Sequence, residues 1–101
     1  GLFEQRCTAF STRLGLPAPQ VRLSSARSRW GSCSSGGRIS MNWRLIQMPL
    51  PLVDYVVAHE LAHLREMNHS PRFWQTVARM VPDYAARRAQ IRTQGYRYLV
   101  V

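Results

Sequence analysis

The chain contains no lysine. All fourteen of its basic residues are arginine, set against five acidic residues, for a formal charge of +9 with the histidines neutral. Genomic base composition is the simplest reading of the missing lysine, but the surplus charge acts whatever its origin and draws phosphates or acidic partners at low salt. Only two cysteines occur, Cys7 and Cys33. That is too few for a disulfide framework, and it makes a reducing, cytoplasmic setting the default expectation. No apolar run approaches the roughly 20 residues of a membrane span, because Asp54 and the histidines interrupt the best candidate. A secretory signal pattern is lacking at the N-terminus, as are internal repeats and low-complexity tracts. The 101 residues, 46% of them hydrophobic, suit one domain with a modest core. Gly1 stands where a methionine would open a complete chain, so residues 1–101 read as a fragment of a longer protein. The sequence is silent on oligomeric state.

Histidine is missing everywhere except in one eleven-residue stretch, His59-Glu60-Leu61-Ala62-His63-Leu64-Arg65-Glu66-Met67-Asn68-His69. On a helix, residues four apart lie one above the other on the same face, so His59 and His63 can share a metal. Glu60 is rotated by about 100° from His59 and points to the flank of such a metal. A carboxylate there can accept a proton from zinc-bound water, whose pKa zinc lowers to about 7. His69 is the harder ligand. A continuing helix would carry it roughly 9 Å beyond His63 and onto another face, so the helix must stop and the chain must fold back. Asn68 suits that stop, because Asn tolerates the left-handed conformation that ends helices. Ser70-Pro71 then reads as an N-cap and first-turn proline opening a new helix. Three imidazoles around one zinc, with Glu60 beside them, spell a metallohydrolase centre. Glu66 lies near the histidine face but would have to reach back roughly 10 Å from its place on the axis, so an outer role bonded to a ligand imidazole, or a solvated one, fits it better. Asn68 shares that outer position, and Met67 reads as a packing residue.

The flanking sequence supplies a scaffold. Leu2, Phe3, Cys7, Phe10 and Leu14 recur at helical spacing, and Gly15 ends that helix. Gln20–Ser24 and Ala26–Ser32 read as short strands. Ser34-Ser35-Gly36-Gly37 is a turn signal, and Arg38–Trp43 returns as the second arm of a hairpin. Pro49 and Pro51 introduce the central helix, on which Val53, Val57, Leu61 and Leu64 form an apolar stripe bordered by the histidines. Ser70–Met80 and Pro82–Gln94 read as two further helices, and Tyr96–Val101 as a terminal strand or a frayed tail. Phe73, Val77 and Met80 share one helical face, so Phe73 and Trp74 are expected to brace the turn that carries His69. Trp30 either packs likewise or lines a cleft. Arg27 and Arg29 would share one face of a strand, and Arg87, Arg88 and Arg92 would cluster on the last helix. With no aromatic platform interleaved, solvated faces suit these arginines better than nucleic-acid contacts.

Several segments together resemble a known family. His59–His69 followed by Ser70-Pro71-Arg72-Phe73-Trp74, with Arg29-Trp30-Gly31-Ser32-Cys33, Asn42-Trp43-Arg44-Leu45, Asp54-Tyr55-Val56-Val57 and Val81-Pro82-Asp83-Tyr84, look like the YgjP-like metallopeptidase domains, relatives of the SprT-like and WLM zincins. The likeness spans about residues 25 to 92. It implies a small zincin fold with His59, His63 and His69 as zinc ligands and Glu60 as general base. Metzincins share the ligand spacing but carry glycine where this chain has Glu66, and no downstream Met-turn is evident. Family members usually carry more sequence ahead of this region, and some SprT-like relatives are proteases acting on DNA-bound proteins. The expected architecture is α+β: an N-terminal helix, a short three-stranded sheet with a hairpin, the metal-binding helix and two C-terminal helices. The expected activity is zinc-dependent hydrolysis of a peptide or protein substrate. Two rivals stand beside it: an arginine-rich, DNA-associated zinc module, and a zinc hydrolase of phosphorylated small molecules. For the group that stabilises the oxyanion, Tyr55, Tyr84, Tyr96 and several arginines remain open.

Overall fold

A computed structural model describes residues 1–25, 30–34 and 36–94. Helix α1 (Leu2–Leu14) is followed by strands β1 (Gln20–Ser24), β2 (Gly31–Cys33) and β3 (Arg38–Asn42), a 3₁₀ turn (Trp43–Gln47), and helices α2 (Leu50–Ala62), α3 (Pro71–Met80) and α4 (Tyr84–Gln94). Four helices on a small mixed sheet make this the expected α+β arrangement. Helix α1 buries Phe3, Cys7, Phe10 and Leu14, the face set by their three- and four-residue spacing. Gly15 ends it at φ 70, a left-handed conformation that costs glycine little. The Leu16 N–H donates back to the Ser11 carbonyl at 2.9 Å, closing the end in a Schellman pairing.

The sheet runs in the order β1-β3-β2, with β1 parallel and β2 antiparallel to β3. The hairpin of β2 and β3 follows from the turn signal, whereas the parallel pairing of Gln20–Ser24 with Arg38–Asn42 is a feature that local pattern does not carry. Ile39 and Met41 alternate onto the core side of β3 and are fully buried. Strand β3 stops one residue short of its expected end. Asn42 is still paired with Ser24 as the last residue of the ladder, and its side chain accepts from the Arg44 N–H at 2.9 Å, capping the 3₁₀ turn that follows. Of the expected strand Ala26–Ser32, residues 26–29 lie outside the described residues, and so does the tail from residue 95. Trp30 precedes β2, which begins at Gly31.

Helix α2 is the centre of the molecule. Leu52, Val53, Val56, Val57, Ala58, Leu61 and Ala62 are all buried, so apolar contact surrounds the helix instead of following a single stripe. Helices α1, α3 and α4 and strands β2 and β3 all pack against it. Each fully buried Val or Leu contributes about 1.5–3 kcal/mol, which makes α2 a rigid carrier for whatever its last turn presents.

One polar link ties α1 to this helix. Arg6 donates from Nε and Nη2 to the two Asp54 oxygens at 2.7 and 2.8 Å, and the two side chains are 31% and 17% exposed. The forked geometry holds two helix axes in register more tightly than a single surface pair would. A double-mutant cycle with Arg6→Ala and Asp54→Ala, read by urea unfolding, should give a coupling of about 1 kcal/mol, and a coupling near zero would remove the link from the fold's account.

Candidate metal centre

The last turn of α2 sets the first two imidazoles. His59 lies on its final turn and His63 caps it in right-handed helical conformation. One turn apart, their ring centroids stand 5.1 Å from each other. The chain then tightens: the N–H groups of His63, Leu64 and Arg65 donate to the carbonyls of Glu60, Leu61 and Ala62 at 3.2, 3.0 and 3.1 Å, the three-residue pattern of a 3₁₀ turn. This corrects the expectation for Asn68. Among the described residues no non-glycine residue has a positive φ, so the reversal comes from the tightened turn and not from a left-handed asparagine. Ser70, extended at φ −78 and ψ 170, opens α3 by accepting from the Phe73 N–H at 3.3 Å, with Pro71 in the first turn.

That reversal brings His69 back beside the other two. Its ring centroid lies 5.2 Å from His59 and 5.0 Å from His63, which makes the three rings a nearly equilateral triangle. Phe73, 0% exposed, packs against all three at centroid distances of 5.1, 4.6 and 4.9 Å. Trp74 touches His59 and His69 at 6.1 and 6.0 Å. One ligating atom from each histidine falls within 4.8 Å of the others. Nitrogens 2.0–2.1 Å from a shared ion sit about 3.4 Å apart, so small ring rotations close the set. The donor chemistry, three imidazoles with no competing thiolate, fits a divalent transition metal.

The polar neighbours fix the tautomers. Nδ1 of His63 lies 3.1 Å from the main-chain carbonyl of Glu66 and donates to it, which leaves Nε2 with a free lone pair. Glu66 thus meets the imidazole through its backbone and not through its carboxylate. The Asn68 side chain is exposed and makes no hydrogen bond to these rings among the described residues. Met67, expected to pack, is 57% exposed.

Glu60 is 5% exposed and accepts from Nδ1 of His59 at 3.3 Å. Its carboxylate borders a cavity of about 220 Å³ lined by Trp30, Gly31, Tyr55, Val56, His59 and Ile91. Trp30 therefore serves as cleft lining. Gly31 is the neighbour that spacing alone did not flag: a Cβ placed there would come within 3.1 Å of both Glu60 Cγ and the Ser40 carbonyl oxygen. The bare backbone at the start of β2 is what lets the carboxylate lie along the sheet edge. A glycine directly after the tryptophan at a strand start was the available signal.

Electrostatics follow this geometry. The His69 imidazole titrates below its ordinary range, first because partial burial disfavours its charge, then because His59 and His63 repel it; Glu60 opposes the shift and Arg88 adds to it. Neutral imidazole is the form able to bind a metal, and the shift extends its range toward lower pH. Burial pushes the Tyr55 phenol up, while Arg88 and Arg92 pull it down. Of the tyrosines considered for oxyanion binding, Tyr55 shares the cavity of Glu60, Tyr84 stacks on Trp74 at 5.3 Å, and Tyr96 lies outside the described residues. The arginines expected to cluster on α4 divide instead. Arg87 is held by Asp83 at 2.7 Å, one turn back, and by Gln90 at 3.0 Å. Arg88 lies over the Trp74 ring at 5.0 Å and lines a different groove together with Arg92. Arg27 and Arg29 fall outside the described residues.

Three comparisons bear on this site. The sequence model of the YgjP-like metallopeptidase domain family matches residues 1–94. A stretch of 36 residues is 44% identical to the UTP pyrophosphatase of Escherichia coli (strain K12); it makes up 36% of this chain and 22% of that protein, so the match spans about a fifth of the relative's length. Among solved structures, the metallopeptidase zymogen of Pyrococcus abyssi abylysin superimposes with a TM-score of 0.82 over 91% of this chain and 93% of the other, at 24% identity, which establishes a shared fold.

The charge environment of His69 carries its own test. In an NMR titration of the metal-free protein, His69 should become half protonated below the ordinary histidine value of 6.5. Arg88→Gln should raise that midpoint and Glu60→Gln should lower it further. Shifts of the opposite sign would contradict the arrangement of charges described for the site.

Proposed function

As the chain belongs to the YgjP-like metallopeptidase family, we propose that it is a zinc-dependent peptidase with His59, His63 and His69 as ligands and Glu60 as general base. One observation carries this reading: three imidazoles converge beside a buried carboxylate that faces a cavity at the edge of a sheet. Zinc held there would supply Lewis acidity, polarising a peptide carbonyl and acidifying a water molecule. Glu60 takes the proton from that water and passes it to the departing amine. Its burial, the His59 N–H and the close backbone of Gly31 limit the orientations open to the carboxylate. Among the described residues strand β2 forms one edge of the sheet, and an extended peptide can add to such an edge through main-chain hydrogen bonds, with its scissile bond running past Glu60. The setting we assign is the cytoplasm, where the two unpaired thiols would persist.

A second reading is hydrolysis of a phosphorylated small molecule. It is favoured by the short match to a protein described as a UTP pyrophosphatase and by the +9 charge. Turnover of nucleotides without cleavage of any peptide would select it.

Metal analysis of the purified chain should find about one zinc per molecule. Glu60→Gln should keep that zinc and lose about 10²–10⁴-fold in hydrolysis, the usual contribution of a general base; full activity would remove Glu60 from the reaction. Gly31→Ala should likewise retain zinc while lowering turnover by about 10-fold or more, through displacement of the carboxylate. Unchanged turnover would show that the close approach at Gly31 does not position Glu60.

A further inference from the structure

The groove beside the metal centre on the α4 side is distinct from the cavity that Glu60 faces. It has a volume of about 300 Å³ and is lined by Trp74, Tyr84, Ala85, Arg88, Ala89 and Arg92. Arg88 and Arg92 stand one helical turn apart on the same face of α4, with small Ala85 and Ala89 leaving the space between them open. Trp74 is the shared wall: its ring touches His69 at 6.0 Å and forms one side of this groove.

We infer that this groove is a substrate subsite for a side-chain carboxylate, received by Arg88 and Arg92, so that the peptides cleaved carry an acidic residue beside the scissile bond. The inference rests on the peptidase reading and specifies its substrate class.

Three observations carry it. First, the positive charge here is unspent. Among the described residues neither Arg88 nor Arg92 pairs with a carboxylate, whereas Arg6 is taken by Asp54 and Arg87 by Asp83. Second, Arg88 is pre-ordered. Its guanidinium lies over the Trp74 ring at 5.0 Å, and a planar cation held on an aromatic face keeps its forked donors for an in-plane partner. Such a fork matches the two oxygens of a carboxylate. Third, the indole is engaged by the protein itself. Tyr84 stacks on it at 5.3 Å with an interplanar angle of 16°, and Arg88 packs on the same ring. A nucleobase would have to displace these contacts to stack, whereas a carboxylate would use them as they stand.

The test uses the zinc-loaded chain and matched peptides that differ only by Glu or Gln at each position flanking the cleaved bond. Wild type should favour the Glu peptide by about 10-fold or more in kcat/KM at one position, the size of one charge-assisted contact. Arg88→Gln and Arg92→Gln should each reduce that ratio toward one, and Arg88→Lys should restore part of it. Arg79→Gln, which removes an equal charge from an exposed site on α3, should leave the ratio at its wild-type value. A ratio near one in wild type, or a ratio that Arg79→Gln lowers as much as Arg88→Gln, overturns the subsite and leaves the peptidase reading intact. If no peptide is cleaved, calorimetric titration with the same Glu and Gln peptides decides separately. Tighter binding of the Glu peptide that depends on Arg88 upholds carboxylate capture by the groove while the peptidase reading, and with it the role in substrate selection, falls; equal binding overturns the carboxylate assignment as well. Binding of UTP or inorganic pyrophosphate that depends on Arg88, with no discrimination between the peptides, replaces carboxylate with phosphate and overturns the assignment.

Discussion

Three imidazoles resting on one buried phenylalanine ring are the contact on which the rest of the molecule depends. Phe73 cannot reach His59, His63 and His69 together unless α2 ends at His63 and α3 begins directly after His69. The tightened turn supplies the first condition and the Ser70-Pro71 start supplies the second. Both elements are also anchored away from the rings, α2 by apolar contact on nearly every side and α3 by the buried side chains of Val77 and Met80. Rigidity at the ring tips is therefore inherited from packing and needs no further polar scaffold. The one main-chain bond that matters there, from His63 to the Glu66 carbonyl, selects a tautomer.

The placement of Glu60 shows the same economy. A carboxylate so deeply buried is costly unless something nearby compensates its charge. The imidazole N–H of His59 does so in part, and a cation in the centre would do more. The sheet contributes through an omission: without a side chain at Gly31 the strand edge and the carboxylate can lie against one another. The three imidazoles, the carboxylate and the strand edge thus meet at one place, and the α4 groove with Arg88 and Arg92 opens on its flank.

Much of this was legible from residue order. The spacing of Phe3, Cys7, Phe10 and Leu14 and the glycine after them set α1 to the residue. The serine and proline after His69 marked the start of α3. What escaped was long-range or fine-grained. The parallel pairing of β1 with β3 joins segments about 18 positions apart, and no local period encodes it. The Asn42 cap competes with strand continuation through a side-chain bond that propensity does not weigh. The 3₁₀ turn makes a left-handed Asn68 unnecessary and leaves Met67 exposed instead of packed. The arginines of α4 divided because Asp83, one turn before Arg87, claims that residue and leaves the aromatic side of the helix to Arg88 and Arg92. The comparisons add what spacing could not: membership of a metallopeptidase family across residues 1–94 and a shared fold with a metallopeptidase zymogen.

X-ray absorption spectroscopy at the metal edge of the zinc-loaded protein tests the central claim most directly. The expected spectrum contains about three imidazole ligands at about 2.0–2.1 Å, falling to two in His69→Ala. A spectrum with sulfur in the first coordination sphere, or one that His69→Ala leaves unchanged, would contradict a centre built from these three histidines.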